Sequence, residues 1–167
     1  MKKLTLLLFL SVLFSGCTSP SISSNIQRSK TPIKTIAISP SSGMFGDAVG
    51  IELSNRNFVV YDSGQSATLL VTAGISEIEF YQPNRTKSIQ ERGVDAVLVV
   101  KATAGYDGSP DNATVKLVSL KDGKLIIGAN WQNGHGGMRG SPADRNSRSG
   151  LVEAAAQIAN AVEQAIR

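Results

Sequence analysis

The sequence predicts an α/β (α+β) fold: a mixed β-sheet of about five strands in the order β-α-β-α-(α)-β-β-β-α, with helices packed on the sheet. Three observations carry this. Two β-branched runs, 33–40 and 57–62, are separated by a segment of helical spacing. Three later apolar runs, 94–104, 113–120 and 125–131, follow one another with only turns between them. The chain then closes on an amphipathic helix. Strands joined first by helices and then by hairpins give a sheet of mixed direction.

The first strand, 33–40, is bounded by prolines. Ser41-Ser42-Gly43 turns the chain and offers an N-cap hydroxyl, and Phe45, Ala48, Val49, Glu52 and Leu53 follow helical spacing to about Asn55. The second strand covers 57–62. Ser63 or Ser66 can cap a short helix carrying Leu69 and Leu70, and Gly74 ends it. In 75–83, Glu77 and Glu79 alternate with Ile78 and Phe80, which suits a strand with a solvated acidic face, stopped by Pro83. Asn84 can cap a third helix through Gln90 and Arg92, closed by Gly93. The run 94–104 is too uniformly apolar for an exposed ribbon and reads as a buried central strand. Asp122-Gly123 marks a hairpin between the last two strands. Residues 132–149 are rich in Gly, Asn and Arg without periodicity, and are long for a loop in a compact domain. In the final helix Leu151, Ala155, Ile158, Ala159, Val162 and Ile166 share one face.

The amino terminus sets location. Lys2 and Lys3 precede an apolar run from 4 to 14, then Ser15-Gly16, then Cys17, the chain's one cysteine. That order is the layout of a secretory signal peptide, and about 11 apolar residues are too few for a spanning helix, which needs about 20. Cys17 after Ser15-Gly16 resembles a bacterial lipobox. The resemblance implies cleavage before Cys17, acylation of its thiol and anchorage to a membrane through that lipid. Thr18 follows rather than an aspartate, which by lipoprotein sorting rules implies the outer membrane, on its periplasmic face. The expected organisation is a signal peptide over 1–16, lipidated Cys17 and a Ser/Pro-rich flexible tether over 17–32, and one periplasmic domain over 33–167. The tether as a coil spans about 20 Å.

The whole chain carries a formal charge of +4, and loss of Lys2 and Lys3 with the signal leaves about +2. That balance gives no support to a nucleic-acid partner. With Cys17 acylated, neither a disulfide nor thiolate catalysis is expected.

Thr35-Ile36-Ala37-Ile38 followed by Phe45-Gly46-Asp47-Ala48 resembles the first strand and helix of the curli-secretion lipoprotein family (CsgG-like), to which the N-terminal domain of TolB and the LpoB-type lipoproteins are related. Asn57-Phe58-Val59-Val60-Tyr61-Asp62 with Leu69-Leu70 resembles its second strand and the helix after it. Gly93-Val94-Asp95-Ala96-Val97-Leu98-Val99 and the segment from Val118 to Ile126 resemble its central strand and hairpin. The likeness covers about 33–167. It implies the periplasmic domain alone. The curli channel's extra hairpins are missing, since a spanning strand needs about 9–11 alternating residues and only a short turn cluster separates the third and fourth strands.

No residue pattern points to catalysis, a cofactor or a metal. His135 is the single histidine, and no Gly-x-Ser-x-Gly elbow surrounds a serine. A metal site would need further nitrogen or sulfur ligands; Asp107, Asp111 and Asn112 lack EF-hand spacing. Carboxylate pairs exist at Glu77/Glu79 and Glu91/Asp95, so an envelope hydrolase is conceivable. Asp95, however, reads as a cap or partner at a strand mouth. The loop after the last strand is basic through Arg139, Arg145 and Arg148; with Trp131 and His135 these are the candidate partner contacts, while core packing suits Trp131 better than a contact role. The expected function is therefore a non-enzymatic, outer-membrane-anchored assembly or secretion accessory or scaffold in a cell-envelope complex. Its expected partners are its membrane, through the lipid on Cys17, and envelope proteins or further copies of itself. The alternative is LpoB-type activation of a peptidoglycan synthase, which a short tether opposes.

Overall fold

The computed structural model describes residues 17–27 and 32–167. The expected signal peptide lies outside the described residues. In chain order the elements are β1 (Cys17–Thr18), β2 (Ser21–Ile26), β3 (Thr35–Ile38), α1 (Gly43–Ser54), β4 (Val59–Tyr61), α2 (Ser63–Ala73), a 3-10 turn (Glu77–Tyr81), α3 (Lys87–Gln90), β5 (Ala96–Ala104), β6 (Pro110–Ser119), β7 (Leu125–Gln132), β8 (His135–Gly136), α4 (Pro142–Ser147) and α5 (Leu151–Ile166). The main sheet has the order β2-β7-β6-β5-β3-β4, and β1 pairs with β8 in a separate two-stranded ribbon. β3 runs parallel to both β4 and β5. The β5-β6-β7 meander and β2 are antiparallel. The predicted mixed sheet with helices packed on it is therefore the fold.

Both faces of the sheet carry cores, but unequally. On one face Ile36, Ile38, Leu98, Val115, Leu117, Ile127 and Trp131 pack against Phe45, Val49 and Leu53 of α1 and Ile158 and Val162 of α5. Arg56 ties those two helices together, donating to Asn160 Oδ1 at 2.8 Å and to Glu52 Oε2 at 2.7 Å. On the other face Leu69, Leu70, Phe80 and Ile89 cover Ala37 and Val97. Beyond that cluster β6 and β7 present Asn112, Thr114, Lys116 and Asn130 to solvent, and Thr114 Oγ1 donates to Asn130 Oδ1 at 3.1 Å.

Several expectations need correction. Residues 21–26 are not flexible tether but a sixth strand of the main sheet, with Ser21 opposite Gln132 and Ile26 opposite Ile127. The physical reason is the edge of β7, whose backbone groups would otherwise lack partners. Ile22, Ser24 and Ile26 share one face of β2, and that face lies on the side of α5. Residues 77–81 form a 3-10 turn rather than a strand, with Phe80 buried. Ser76 donates its backbone N–H to Glu79 Oε2 at 2.9 Å, a local bond that a strand could not make. Asp62, not Ser63 or Ser66, caps α2, accepting from Gln65 N at 2.7 Å. Gly74 ends that helix in the left-handed conformation, φ 67°, as expected. Thr86 rather than Asn84 precedes the single turn of α3.

Candidate contact site beside the amino-terminal strand

The carboxyl ends of β5 and β7 and the start of β6 lie at one end of the sheet, where the Gly/Arg-rich segment folds back on them. This segment is not a mobile loop. β7 runs to Gln132, Asn133 turns the chain, and β8 pairs with β1 so that Cys17 lies opposite Gly136 and Thr18 opposite His135. Asn133 closes the turn: Nδ2 donates to Pro110 O at 2.7 Å and Ser149 O at 3.0 Å, while Oδ1 accepts from Ser149 N at 2.7 Å. Two of its glycines, Gly134 and Gly136, are there for space. A Cβ on Gly134 would stand 2.0 Å from Ser147 O and 2.5 Å from Thr18 O, and one on Gly136 would stand 2.4 Å from Ala143 O. The β1 backbone and α4 lie directly against these two residues, which only glycine permits.

α4 starts in the usual way. Ser141 Oγ accepts from Asp144 N at 3.2 Å, and Pro142 holds the first helical position. Asp144 itself is 2% exposed. It accepts from Gly140 N at 2.8 Å, Gly136 N at 3.3 Å and Tyr106 Oη at 2.8 Å. Those bonds, the backbone one from Gly140 foremost, hold its carboxyl below the ordinary range, and the same carboxylate pushes the Tyr106 phenol up. Arg148 ends the segment. Its Nε donates to Asp107 Oδ2 at 2.9 Å and its Nη2 to Asp111 Oδ1 at 2.6 Å. Hydrogen bonding from Ser109 first, and then from Arg148, lowers Asp107 to about 2. The guanidinium carbons of Arg139 and Arg148 lie 5.0 and 5.1 Å from the Tyr106 ring centre, a double cation–π contact.

The candidate contact residues therefore separate. Trp131 is fully buried, and its Nε1 donates to Gln157 Oε1 at 2.7 Å, so it is core and not a contact platform. The Arg148 side chain is 9% exposed and acts as an internal clamp; it is no partner contact either. His135, Arg139 and Arg145 remain exposed. The His135 ring pairs its Nδ1 with Thr18 Oγ1 at 2.7 Å, which joins β8 to β1 through side chains as well as backbone. Tyr106 and Asp144 have structural roles that the sequence reading missed. For Asp144 the signal was present: Ser141-Pro142-Ala143-Asp144 is a helix start inside what was read as loop.

Of the carboxylates weighed for chemistry, Glu77, Glu79 and Asp95 are engaged, and Glu91 is exposed. Glu77 faces the loop after β3, where Ser39 Oγ donates to it and Ser41 N donates at 3.0 Å. Burial raises its pKa, but those hydrogen bonds outweigh burial and lower it overall. It is thus a loop clamp rather than part of a solvated strand face. Glu79 binds Arg85 Nε at 2.8 Å. Asp95 caps the start of β3, accepting from Lys34 N at 2.8 Å and Thr35 N at 2.9 Å. Among the described residues no group of three or more His, Cys, Asp or Glu side chains could hold a metal. Asp107 and Asp111 hold an arginine.

This arrangement defines a mixed-sheet domain whose first residues are woven into its own end. No protein-family model matches the chain, and no curated protein does. Among solved structures it is similar to the PelC dodecamer from Paraburkholderia phytofirmans, at 14% identity and a TM-score of 0.51 over 87% of this chain and 96% of that one. It is also similar to lipoprotein GNA1162 from Neisseria meningitidis, at 22% identity and a TM-score of 0.47 over 78% of this chain and 95% of that one. A third likeness is to TolB from Acinetobacter baumannii, at 15% identity and a TM-score of 0.48 over 87% of this chain and 31% of that one. The first of these shows a shared fold. Among the described residues no helix is long and apolar enough to cross a membrane.

Proposed function

We propose that the chain is a lipid-anchored protein of the outer membrane that acts by contact, without catalysis, as an assembly or secretion accessory in an envelope complex. The observation that carries the reading is the pairing of Cys17 with Gly136. The residue that the lipobox would acylate belongs to the fold, so anchor and domain form one unit. A binding role is further supported by the engagement of the polar side chains at this end of the sheet. Asp107, Asp111, Asp144 and Arg148 satisfy one another, and His135 is held by Thr18. Self-association fits the likeness to a protein that forms a dodecamer. The reach needed by a synthase activator is opposed by β2, which takes up six residues of the expected tether.

The test is fractionation with in-cell crosslinking. The native chain is expected to incorporate labelled fatty acid and to sediment with outer membranes, and Cys17→Ser to lose both. Crosslinks to further copies or to envelope assembly proteins are expected. Recovery of a peptidoglycan synthase as the main partner would move the assignment to the alternative. Cleavage of wall material by purified protein, lost in Glu77→Gln, would overturn the non-enzymatic reading.

A further inference from the structure

A flexible tether would let the domain turn freely beneath its membrane; β1 removes that freedom. Cys17 is fixed opposite Gly136, and β8 passes directly into the turn 137–140. Met138, two residues beyond Gly136, lies within about 12 Å of the Cys17 backbone, from one strand spacing plus two chain steps. The acyl chains on Cys17 enter the bilayer, whose headgroup layers are each roughly 5–8 Å thick. The turn is therefore held within about 12 Å of the anchored residue, close to the lipid surface.

Its composition suits that position. Met138 is 82% exposed, although methionine is a flexible apolar side chain. The Arg139 side chain is 66% exposed beside it, and Arg145 is exposed on α4. Of the acids nearby, Asp144 is 2% exposed, while the Asp107 and Asp111 side chains are 32% and 34% exposed and bound by Arg148. Arg139 also lies 3.7 Å from Asp111, so the cluster is balanced in formal charge, with the Arg139 side chain more exposed than either of these two acids. Two more exposed apolar residues share this end of the sheet. Met44 is 79% exposed and lines a hollow with Gly108, Pro110 and Leu151, and Val152 is 68% exposed at the start of α5.

We infer that the turn 137–140 is the membrane-facing tip of the domain, with Met138 seated in the headgroup layer of the leaflet that carries the Cys17 lipid. The long axis of β7 is then held at a fixed inclination, and the hairpin at 121–124 is its far end. The eight residues of β7 separate the two ends by about 23 Å. This inference rests on the lipid-anchored reading above.

The test uses the lipidated full chain purified from cells and reconstituted in vesicles of phosphatidylethanolamine and phosphatidylglycerol. Cys17 is the only cysteine and is blocked by acylation, so Met138→Cys or Lys121→Cys supplies a single free thiol for an environment-sensitive fluorophore. Both positions are exposed, so the substitutions leave the core untouched. The label at 138 is expected to shift to the blue and to be quenched several-fold more by headgroup spin-labelled lipid than the label at 121. Equal quenching at the two positions, in protein that floats with the vesicles, overturns the inference and leaves the anchor reading standing. Protein that fails to float overturns the anchor reading, and the inference falls with it.

Discussion

The guanidinium of Arg148 meets the carboxylate of Asp111 at 2.6 Å, and this contact holds the segment after β7 against the β5–β6 turn. One side chain binds Asp107 and Asp111 and stacks on Tyr106. Arg148→Ala would remove the cation that Asp107 and Asp111 share, leaving Asp111 only Arg139 at 3.7 Å. We predict a loss of about 2 kcal/mol, in the range of charge-assisted hydrogen bonds. Arg148→Lys should recover only part of it, because an ammonium cannot present the planar fork that reaches both acids. Urea unfolding of the two variants measures the difference. Equal stability of Arg148→Ala and the native chain would show that the clamp is idle.

Gly134 and Gly136 are predicted to be intolerant of any side chain for a reason unrelated to flexibility. The nearest obstacles are backbone carbonyls of Ser147, Thr18 and Ala143, which cannot rotate away. Gly134→Ala and Gly136→Ala should each cost about 1–3 kcal/mol, the range for overpacking, and should release β1. Gly150→Ala is the control, since its Cβ meets nothing within 4 Å and its φ is −69°. Hydrogen exchange of residues 17–27 reads the result: rapid exchange in the first two variants and native protection in the third.

Acid should loosen the same end of the domain. Asp107 sits at about 2 in the folded protein against an ordinary 3.8. A depressed carboxylate contributes stability that is complete above its unfolded value and is lost as pH falls through the folded one. The window is therefore from about pH 4 down to about pH 2. Asp144 and Glu77 are lowered as well and act in the same direction. Thermal melts between pH 2 and 7 should show the fall, and Asp107→Asn should flatten part of it. A melting temperature independent of pH below 4 would contradict the assignment.

How much of this was legible depended on where the signal lay. The runs that became β3, β5, β6 and β7 announce themselves through β-branched residues and an Asp-Gly turn, because burial on a sheet selects those residues directly. The core position of Trp131 was the better reading of the sequence and holds, whereas the burial of Arg148 was not visible. An arginine's exposure depends on partners at Asp107 and Asp111, which only the β5–β6 turn brings near. Gly134 and Gly136 stand in a segment without periodicity, and nothing in the sequence marks the contacts with β1 and α4 that require them. β2 was hidden for a related reason. Ser-Ile-Ser-Ser-Asn-Ile has few apolar residues, and an edge strand needs few when its partner strand already exists.

The edge position of β2 gives a prediction of single-residue resolution. Gln27 N donates to Ile126 O at 2.7 Å. In an antiparallel ladder, hydrogen-bonded and non-bonded pairs alternate, so Asn25, Ser23 and Ser21 also direct their N–H groups at β7. Ser24, Ile22 and Ile26 direct theirs away from the sheet. Ser23→Pro should delete a ladder bond and cost about 1 kcal/mol. Ser24→Pro removes an N–H that has no partner strand and should be tolerated, as prolines are on edge strands. Both lie in an exposed strand, so neither change disturbs the core. Chemical denaturation of the pair decides the matter: equal losses would mean that the β2–β7 register differs from the one with Ser23 opposite Asn130.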